Sequence, residues 1–201
     1  GAHVIPAGTP AGRDQLFTPG VAPDADTDTS VDWARFAPRL IDRGDGVPVL
    51  DTAFTRLTGR SPILLAGMTP TTVDPQIVAS AANAGHWAEL AGGGQVTEAV
   101  FHANMARLGE LLDEGRTAAF NALFLDPYLW KMQIGGQRLV HKARAAGSPL
   151  DGVVISAGIP DVADALDIIR GLVDAGISYV ALKPGSESQI NQVLAIAHEV
   201  G

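Results

Sequence analysis

Two successive apolar strands in the sequence are each followed by residues that expose the backbone or offer hydrogen-bonding groups. The first strand leads into the turn Gly67–Pro70, and the second leads into Gly92–Gly94. Glycine has no Cβ, so a large flat molecule can lie directly against the main chain there. Three consecutive glycines also cost conformational entropy on folding, which favours close approach by a ligand or by other backbone. The alternative is that both stretches are only turns that lead into helices.

Polar side chains interrupt or follow the other apolar strands. Asn121 lies in "FNALFLDP", where it is either a core amide satisfied by backbone or a ligand contact. Glu89 lies in "HWAELAG" and is either a site acid or the partner of a basic residue such as Lys183. Lys183 follows the fifth apolar run, where a cation would stabilise an anionic cofactor; the alternative is a solvated lysine at the rim.

Several common classes of site lack their sequence patterns. The absence of cysteine excludes disulfides, cysteine metal sites and a thiol nucleophile. The G-x-G-x-x-G dinucleotide motif, the Walker A motif and the G-x-S-x-G serine elbow are missing as well. With neither an H-x-x-x-H pattern nor a carboxylate-rich cluster, we expect no metal site.

Composition restricts the partners. A formal net charge of -8 without a Lys/Arg cluster argues against nucleic acid. No apolar run approaches the roughly 20 residues of a membrane span, and no signal-peptide pattern is present. We therefore expect a cytoplasmic protein with no membrane partner.

The chain is predicted to consist of three segments. Residues 1–30 are rich in Gly, Pro, Ala, Asp and Thr without any period, which predicts a linker or disordered arm. Residues 31–60 contain "VDWARFAPRLID" and "LDTAFTRLTGR", which predict a helical lead-in that packs on the following domain. Residues 61–201 alternate apolar runs with segments of helical period. The predicted helices are 75–84, 97–114, 127–146, 161–175 and 187–199.

The regular alternation predicts parallel βα units, about 25 to 33 residues from strand to strand. The strands lack polar alternation, as in a sheet covered on both faces. Even spacing, and loops of Gly, Ser, Thr or Pro after most strands, favour a (β/α)8 barrel over a doubly wound sheet. A complete barrel needs about 250 residues. The sequence therefore predicts an α/β fold, the first five β-α units of a partial TIM barrel, after an N-terminal linker segment.

Local signals mark where the helices begin and end. Asp74-Pro75 and Asp126-Pro127 each combine an N-cap with proline at the first helical position. Glycines 115, 147 and 176 follow predicted helices, which indicates left-handed C-caps.

Several motifs together resemble the enoyl reductase region of type I fatty acid synthases. The matching stretches are "AGMTPTTV", "NAG", "ELAGGG", "FNALFLDP" and "YVALKPGS". The form that they resemble most is the bacterial, mycobacterial-type synthase. The resemblance covers about residues 31–201.

This resemblance implies an FMN-binding (β/α)8 barrel, similar to stand-alone flavin enoyl reductases and nitronate monooxygenases. It implies that hydride passes from NADPH by way of FMN to the β-carbon of a trans-2-enoyl thioester, while a proton reaches the α-carbon. The implied partners are the acyl carrier domain and other domains of the same synthase, in a homo-oligomer.

The resemblance also assigns residues to the cofactor. Six are implied to bind or lie near the flavin: Gly67, Met68, Thr69, Asn121, Gly158 and Lys183. The first three match the loop that lies against the ring, and Asn121 matches an asparagine of the third strand near the flavin. Lys183 matches a lysine after the fifth strand, a partner for the N1/O2 edge of the ring.

The family's phosphate-binding glycine loops and its candidate catalytic histidine correspond to positions downstream of residue 201. We therefore expect the catalytic residues outside this chain, and we expect these 201 residues alone to bind FMN poorly and to be inactive. Two alternatives remain at this point: a nitronate monooxygenase-like flavoprotein, and a non-catalytic scaffold segment of a large assembly.

Overall fold

A computed structural model of the chain describes residues 3–4, 37–42, 44 and 46–200. The chain divides into two compact units, residues 1–62 and 63–201. Nearly all of the linker predicted over residues 1–30 lies outside the described residues, so that prediction stays a prediction.

The first unit contains an antiparallel sheet and a short helix. Its strands are β1 (His3–Val4), β2 (Arg39–Asp42) and β3 (Pro48–Asp51), and β2 pairs with both others. Helix α1 (Ala53–Thr58) begins after Thr52, whose hydroxyl accepts a hydrogen bond from the Thr55 N–H.

The helix predicted from "VDWARFAPRLID" is wrong for its described part. Leu40 and Ile41 lie in β2, which pairs along its whole length with β3. Pro38 has no N–H, so a helix running through it would lose a backbone hydrogen bond. The second predicted helical piece, "LDTAFTRLTGR", contains α1.

The second unit contains five parallel strands that follow one another in order. They are β4 (Leu64–Leu65), β5 (Trp87–Ala91), β6 (Ala118–Leu123), β7 (Leu150–Ser156) and β8 (Tyr179–Leu182). Each strand is hydrogen-bonded to the next one along the chain, in the order β4-β5-β6-β7-β8. In a doubly wound sheet the order of the strands would instead reverse at a switch point. The predicted fold class, five β-α units of a partial barrel, is confirmed.

Six helices alternate with these strands. They are α2 (Pro75–Asn83), α3 (Glu98–Leu111), α4 (Pro127–Trp130), α5 (Leu139–Ala145), α6 (Val162–Asp174) and α7 (Glu187–Val200). The two predicted N-caps are confirmed, since Asp74 accepts from the Gln76 N–H and Asp126 from the Leu129 N–H.

The single helix predicted over 127–146 is wrong, because the chain divides there into two helices. Helix α4 continues as a π-helical turn over Lys131–Gly135. The N–H groups of Gly136 and Gln137 then both donate to the Lys131 carbonyl, at 2.9 and 2.7 Å. Arg138 follows with a φ of +56°, which interrupts the helix before α5 begins.

Two of the three predicted glycine caps are confirmed. Gly147 and Gly176 have φ values of +97° and +95°, and each directly follows the C-cap residue of its helix, Ala146 of α5 and Ala175 of α6. Gly115 also has a positive φ, of +76°, but α3 ends at Leu111. It lies instead in a turn in which the Arg116 N–H donates to the Asp113 carbonyl.

The apolar core of the second unit lies between the sheet and its helices. Leu90, Phe120 and Ile155 point toward that core, where they meet buried helix residues such as Phe101 and Leu172. Side chains alternate between the two faces of a strand. The alternate residues of β5, β6 and β7 therefore lie on the opposite, inner face of the sheet.

Candidate functional site

A chain of buried polar side chains crosses the inner face of three strands. Glu89 of β5 and Asn121 of β6 are each 3% exposed. Asn121 Nδ2 donates to Glu89 Oε2 over 2.7 Å, and Ser156 Oγ, at the end of β7, donates to Asn121 Oδ1 over 2.7 Å. An ionised carboxylate only accepts hydrogen bonds, so the amide nitrogen of Asn121 must face Glu89 and its oxygen must face Ser156.

Glu89 also connects this chain of hydrogen bonds to the end of β4. Its Oε2 accepts from the Gly67 N–H over 2.8 Å, and its Oε1 accepts from Trp87 Nε1 over 3.1 Å. Among the described residues no basic side chain forms an ion pair with Glu89, so the predicted pairing with Lys183 is not found. Three neutral donors stabilise the buried carboxylate instead.

The glycines at the strand ends are explained by close packing of the protein on itself. A Cβ at Gly67 would lie 2.6 Å from Asn121 Cγ, and a Cβ at Gly92 would lie 2.6 Å from the Asn121 carbonyl oxygen. Cβ atoms at Gly93 and Gly94 would collide with Thr69 and Val73. On the side of the missing Cβ, therefore, the neighbour of each glycine is protein and not ligand.

The turn after β4 is closed by its own hydrogen bonds. The Met68 N–H donates to Thr72 Oγ1 over 2.7 Å, and the Thr72 N–H donates to the Met68 carbonyl over 2.8 Å. Thr72 is fully buried, whereas Met68 is 47% exposed and Thr69 is exposed. The turn therefore presents a thioether and a hydroxyl at the carboxyl edge of the sheet.

Two buried glutamines hold the triple-glycine turn in place, and sequence reasoning missed both. Gln133 Nε2 donates to the carbonyls of Gly92 (2.9 Å) and Gln95 (3.1 Å). Gln95 Nε2 donates to the Ala91 carbonyl over 3.2 Å, and its Oε1 accepts from Asn104 Nδ2 over 2.7 Å. The available signal was weak: Gln133 is a polar residue between Met132 and Ile134.

The remaining two predicted residues follow β7 and β8. Gly158 has a φ of +118°, and a Cβ there would lie 2.9 Å from the Phe124 ring. The Lys183 N–H donates to the Ile155 carbonyl over 2.9 Å, so its backbone continues the pairing of β8 with β7. Its side chain is exposed, and within the described ranges its ammonium forms no ion pair.

The structure therefore brings the six predicted residues to one edge, with different degrees of contact. Gly67 and Asn121 pack directly against each other, and Met68 and Thr69 lie in the adjoining turn. The loops that contain the other two follow neighbouring parallel strands, whose carboxyl ends meet at the same edge.

His141 is a buried titratable residue outside this edge. It lies in α5 against Gly171 of α6, and neither ring nitrogen has a hydrogen-bond partner among the residues that the structure describes. Burial lowers the pKa of His141, and the charge of Arg138 lowers it further, while Asp167 opposes the shift.

In the described ranges, no group of three His, Asp or Glu side chains is arranged to hold a metal ion. None of the helices in the described part of the chain combines the length and the apolar character that crossing a membrane requires.

Comparison with known sequences finds fatty acid synthases. No family model matches the chain. The chain is 41% identical over 162 residues to the fatty acid synthase beta subunit aflB of Emericella nidulans, a match that covers 81% of this chain and 7% of that protein. It is 36% identical over 162 residues to the fatty acid synthase subunit beta of Saccharomyces cerevisiae, covering 81% of this chain and 8% of that protein. The chain thus spans less than a tenth of the length of these relatives.

Comparison with solved structures finds proteins of the same fold, including FabK and a nitroalkane oxidase. FabK from Thermotoga maritima superposes with a TM-score of 0.55 at 22% identity, covering 73% of this chain and 41% of FabK. Nitroalkane oxidase from Streptomyces ansochromogenes gives a TM-score of 0.52 at 20% identity, covering 73% and 46%. At these identities the likeness supports the fold and no particular activity.

Both of these sequence relatives are fungal proteins. They support the resemblance to fatty acid synthases, and they do not support the bacterial, mycobacterial-type form that the motifs favoured. Over 81% of its length the chain is therefore a relative of one short segment of fungal fatty acid synthase beta subunits.

Proposed function

We propose that this chain forms part of the enoyl reductase of a multifunctional fatty acid synthase. The reaction is NADPH-dependent reduction of trans-2-enoyl thioesters, with FMN as the cofactor. The observation that carries the proposal is the 41% identity over 162 residues to a fatty acid synthase beta subunit. The strand-end motifs then select the enoyl reductase among the activities of such a synthase.

The groups at the carboxyl edge fit a flavin in their chemistry. Lys183 offers an exposed cation without an ion pair in the described part of the chain, which suits the negatively polarised N1/O2 edge of the ring. Thr69 and Met68 offer an exposed hydroxyl and thioether in the turn after β4. Asn121 fills the space next to Gly67. Contact with the ring there would therefore be made by the side chains of Met68 and Thr69 and not by bare glycine.

When bound, FMN would supply the hydride transfer, and the task of the protein is to position and polarise. Lys183 would stabilise negative charge on the ring, and the closed turn at Met68 would fix the place of the ring relative to β4. The described residues include no loop that we assign to the FMN phosphate, and no side chain that we assign as the proton donor. We therefore keep the catalytic residues outside this chain as part of the proposal.

The partners follow from the same proposal. An acyl carrier domain would deliver the thioester, and the other domains of the synthase would surround the barrel in a cytoplasmic homo-oligomer. The relatives support only the presence of other subunits or domains, because both are beta subunits of fatty acid synthases.

The experiment is to purify the native polypeptide that carries this chain, measure its flavin absorbance, and identify the flavin that it releases. We expect FMN, together with NADPH-dependent reduction of a crotonyl thioester. The fold likeness to nitroalkane oxidase makes nitroalkane oxidation the second activity to assay. Faster nitroalkane oxidation than crotonyl reduction would favour that alternative, and a colourless protein would favour the scaffold segment.

A further inference from the structure

Glu89 is a buried carboxylate whose hydrogen-bond partners in the described chain are all neutral. Gly67 N, Asn121 Nδ2 and Trp87 Nε1 donate to it over 2.8, 2.7 and 3.1 Å. Burying a charge without a counter-ion is expensive, even where hydrogen bonds recover part of the cost. A neutral acceptor for these three donors would avoid the cost of burying a charge, so the charge itself calls for an explanation.

The charge determines which way the Asn121 amide faces. A neutral hydroxyl or amide can hydrogen-bond with either the nitrogen or the oxygen of an amide. A carboxylate has no hydrogen to donate, so it pairs only with the nitrogen. The amide oxygen is then directed to Ser156, whose Oγ donates to it over 2.7 Å. One hydrogen of Asn121 Nδ2 is bound by Glu89, and the second has no acceptor among the residues that the structure describes.

We infer that Glu89 is a positioning residue of the flavin site. It orients Asn121 so that the second amide hydrogen is kept free of protein acceptors, and it places a negative charge beneath the carboxyl edge of the sheet. The inference rests on the proposed function, because FMN is the ligand that would bind at this edge. A nearby negative charge disfavours the electron-rich reduced flavin, so Glu89 would make the flavin a stronger hydride donor.

The test compares Glu89→Gln with Asn83→Ala in the native polypeptide that carries this chain. Glutamine keeps the size of the side chain but removes the charge, and it brings an N–H donor among three other donors. Asn83 links the ends of α2 and α3 by bonds to the Leu111 carbonyl and the Asp113 N–H, so its variant loses hydrogen bonds without touching the inner face.

For Glu89→Gln we expect a rise in the flavin midpoint potential and an altered flavin absorption spectrum. We also expect kcat to fall about 10- to 100-fold, the range produced at metal sites by loss of a hydrogen-bond partner that orients a ligand, with KM for NADPH changed less than kcat. Asn83→Ala should leave the spectrum and potential unchanged even where it lowers thermal stability. Equal potentials and spectra in the two variants would overturn the inference.

A readout without flavin tests the link between Glu89 and Asn121 itself. In a double-mutant cycle of urea unfolding, Glu89→Gln together with Asn121→Leu should cost less stability than the two single losses added. Strict additivity would overturn the inference. If the wild-type protein reduces enoyl thioesters and Glu89→Gln has the same potential, spectrum and kcat, the inference is refuted but the proposed function is not. A wild-type protein without flavin refutes the proposed function, and the inference with it.

Discussion

Gly67 and Asn121 are neighbours in space, and each restricts the residue type that the other position can hold. The space that a side chain at Gly67 would need is occupied by Asn121, and the main-chain N–H of Gly67 donates to Glu89. The glycine is thus explained by packing on the protein's own polar network. A glycine at a strand end is therefore not by itself a sign of a ligand.

We predict that Gly67→Ala destabilises the protein by about 1–3 kcal/mol, because overpacking forces neighbouring atoms to shift. The atoms in the way are Asn121 Cβ and Cγ, which lie too close to the backbone to move freely. The measurement is urea unfolding followed by circular dichroism. Gly109→Ala is the matched control: its Cβ would make an ordinary 3.8 Å contact with Pro149, so it should gain about 0.5–1 kcal/mol of helix stability. Equal effects of the two changes would contradict the packing explanation.

Lys183 supplies a second residue-scale prediction. Because its ammonium has no ion pair in the described chain, Lys183→Met should leave stability within about 0.5 kcal/mol, as is usual for surface changes. In the native polypeptide the same change should weaken FMN binding and slow flavin reduction by NADPH, measured by fluorescence titration and stopped-flow absorbance. Lys142, an exposed lysine of α5, provides the control variant Lys142→Met. Unchanged affinity and reduction rate in Lys183→Met would remove this residue from the site.

At the scale of elements, the segment between β6 and β7 is divided by local backbone geometry. A Cβ at Gly135 would lie 2.7 Å from Trp130 Nε1, so the π-helical turn depends on a glycine there. The turn puts Gln133 in reach of the Gly92 carbonyl, and it sets the start of α5. Helix α5 then packs on α6 through His141 and Gly171, beside the 2.8 Å ion pair between Arg138 and Asp167.

This packing predicts a pH dependence of stability. Burial lowers the pKa of His141 in the folded state, so the unfolded chain binds a proton at His141 at a higher pH than the folded chain does. The contribution of His141 to the free energy of unfolding should be constant above the unfolded-state pKa of about 6.5. It should fall as the pH drops from there toward the lowered folded pKa, by up to about 1.4 kcal/mol per pH unit.

Urea unfolding at pH 7.5 and pH 5.5 measures this effect. His141→Leu should lose less stability on acidification than the wild type, because it removes the group that titrates. The exposed His102 of α3 provides the control, and His102→Gln should keep the wild-type pH dependence. A His141→Leu variant with the wild-type difference between the two pH values would show that the helix interface does not hold a neutral imidazole.

At the scale of the whole molecule, the sheet of the second unit has two open edges. In the described residues β4 pairs only with β5, and β8 pairs only with β7. Leu64 of β4 is 52% exposed, and an open apolar groove of about 380 Å³ lies beside β8, lined by Val180, Leu182, Val193 and Ile196 among others. Exposed strand edges with apolar neighbours are sites for pairing with other chains.

We therefore predict that these 201 residues, expressed alone, self-associate in solution, bind FMN weakly and reduce no enoyl thioester. Light scattering, fluorescence titration with FMN and an NADPH oxidation assay measure the three outcomes. The native polypeptide serves as the control, and it should be of defined size and active. Measurable crotonyl thioester reduction by the 201 residues alone would contradict the prediction and place the catalytic groups within this chain.

The sequence by itself determined the kind and order of most elements of the second unit. Five apolar runs and the helices between them were found because residue periodicity, N-caps such as Asp74 and helix-ending glycines act over a few neighbouring residues. It also placed the six candidate residues at the ends of, or within, parallel strands, which meet at one edge in such a fold. Local signals predicted the wrong element where pairing with another segment decided the structure. In β2 the spacing of apolar residues is approximately helical, but the segment pairs with β3 as a strand.

Only the tertiary structure decided what the polar residues contact. Glu89 meets donors 22 and 32 positions away, and Gln133 reaches a carbonyl 41 positions away, so no local pattern indicates these pairs. The same holds for the glycines, whose neighbours are Asn121, Thr69 and Val73 from other strands and turns. Periodicity shows that a residue is buried, but the partner of a buried polar group depends on which strands become neighbours when the sheet forms.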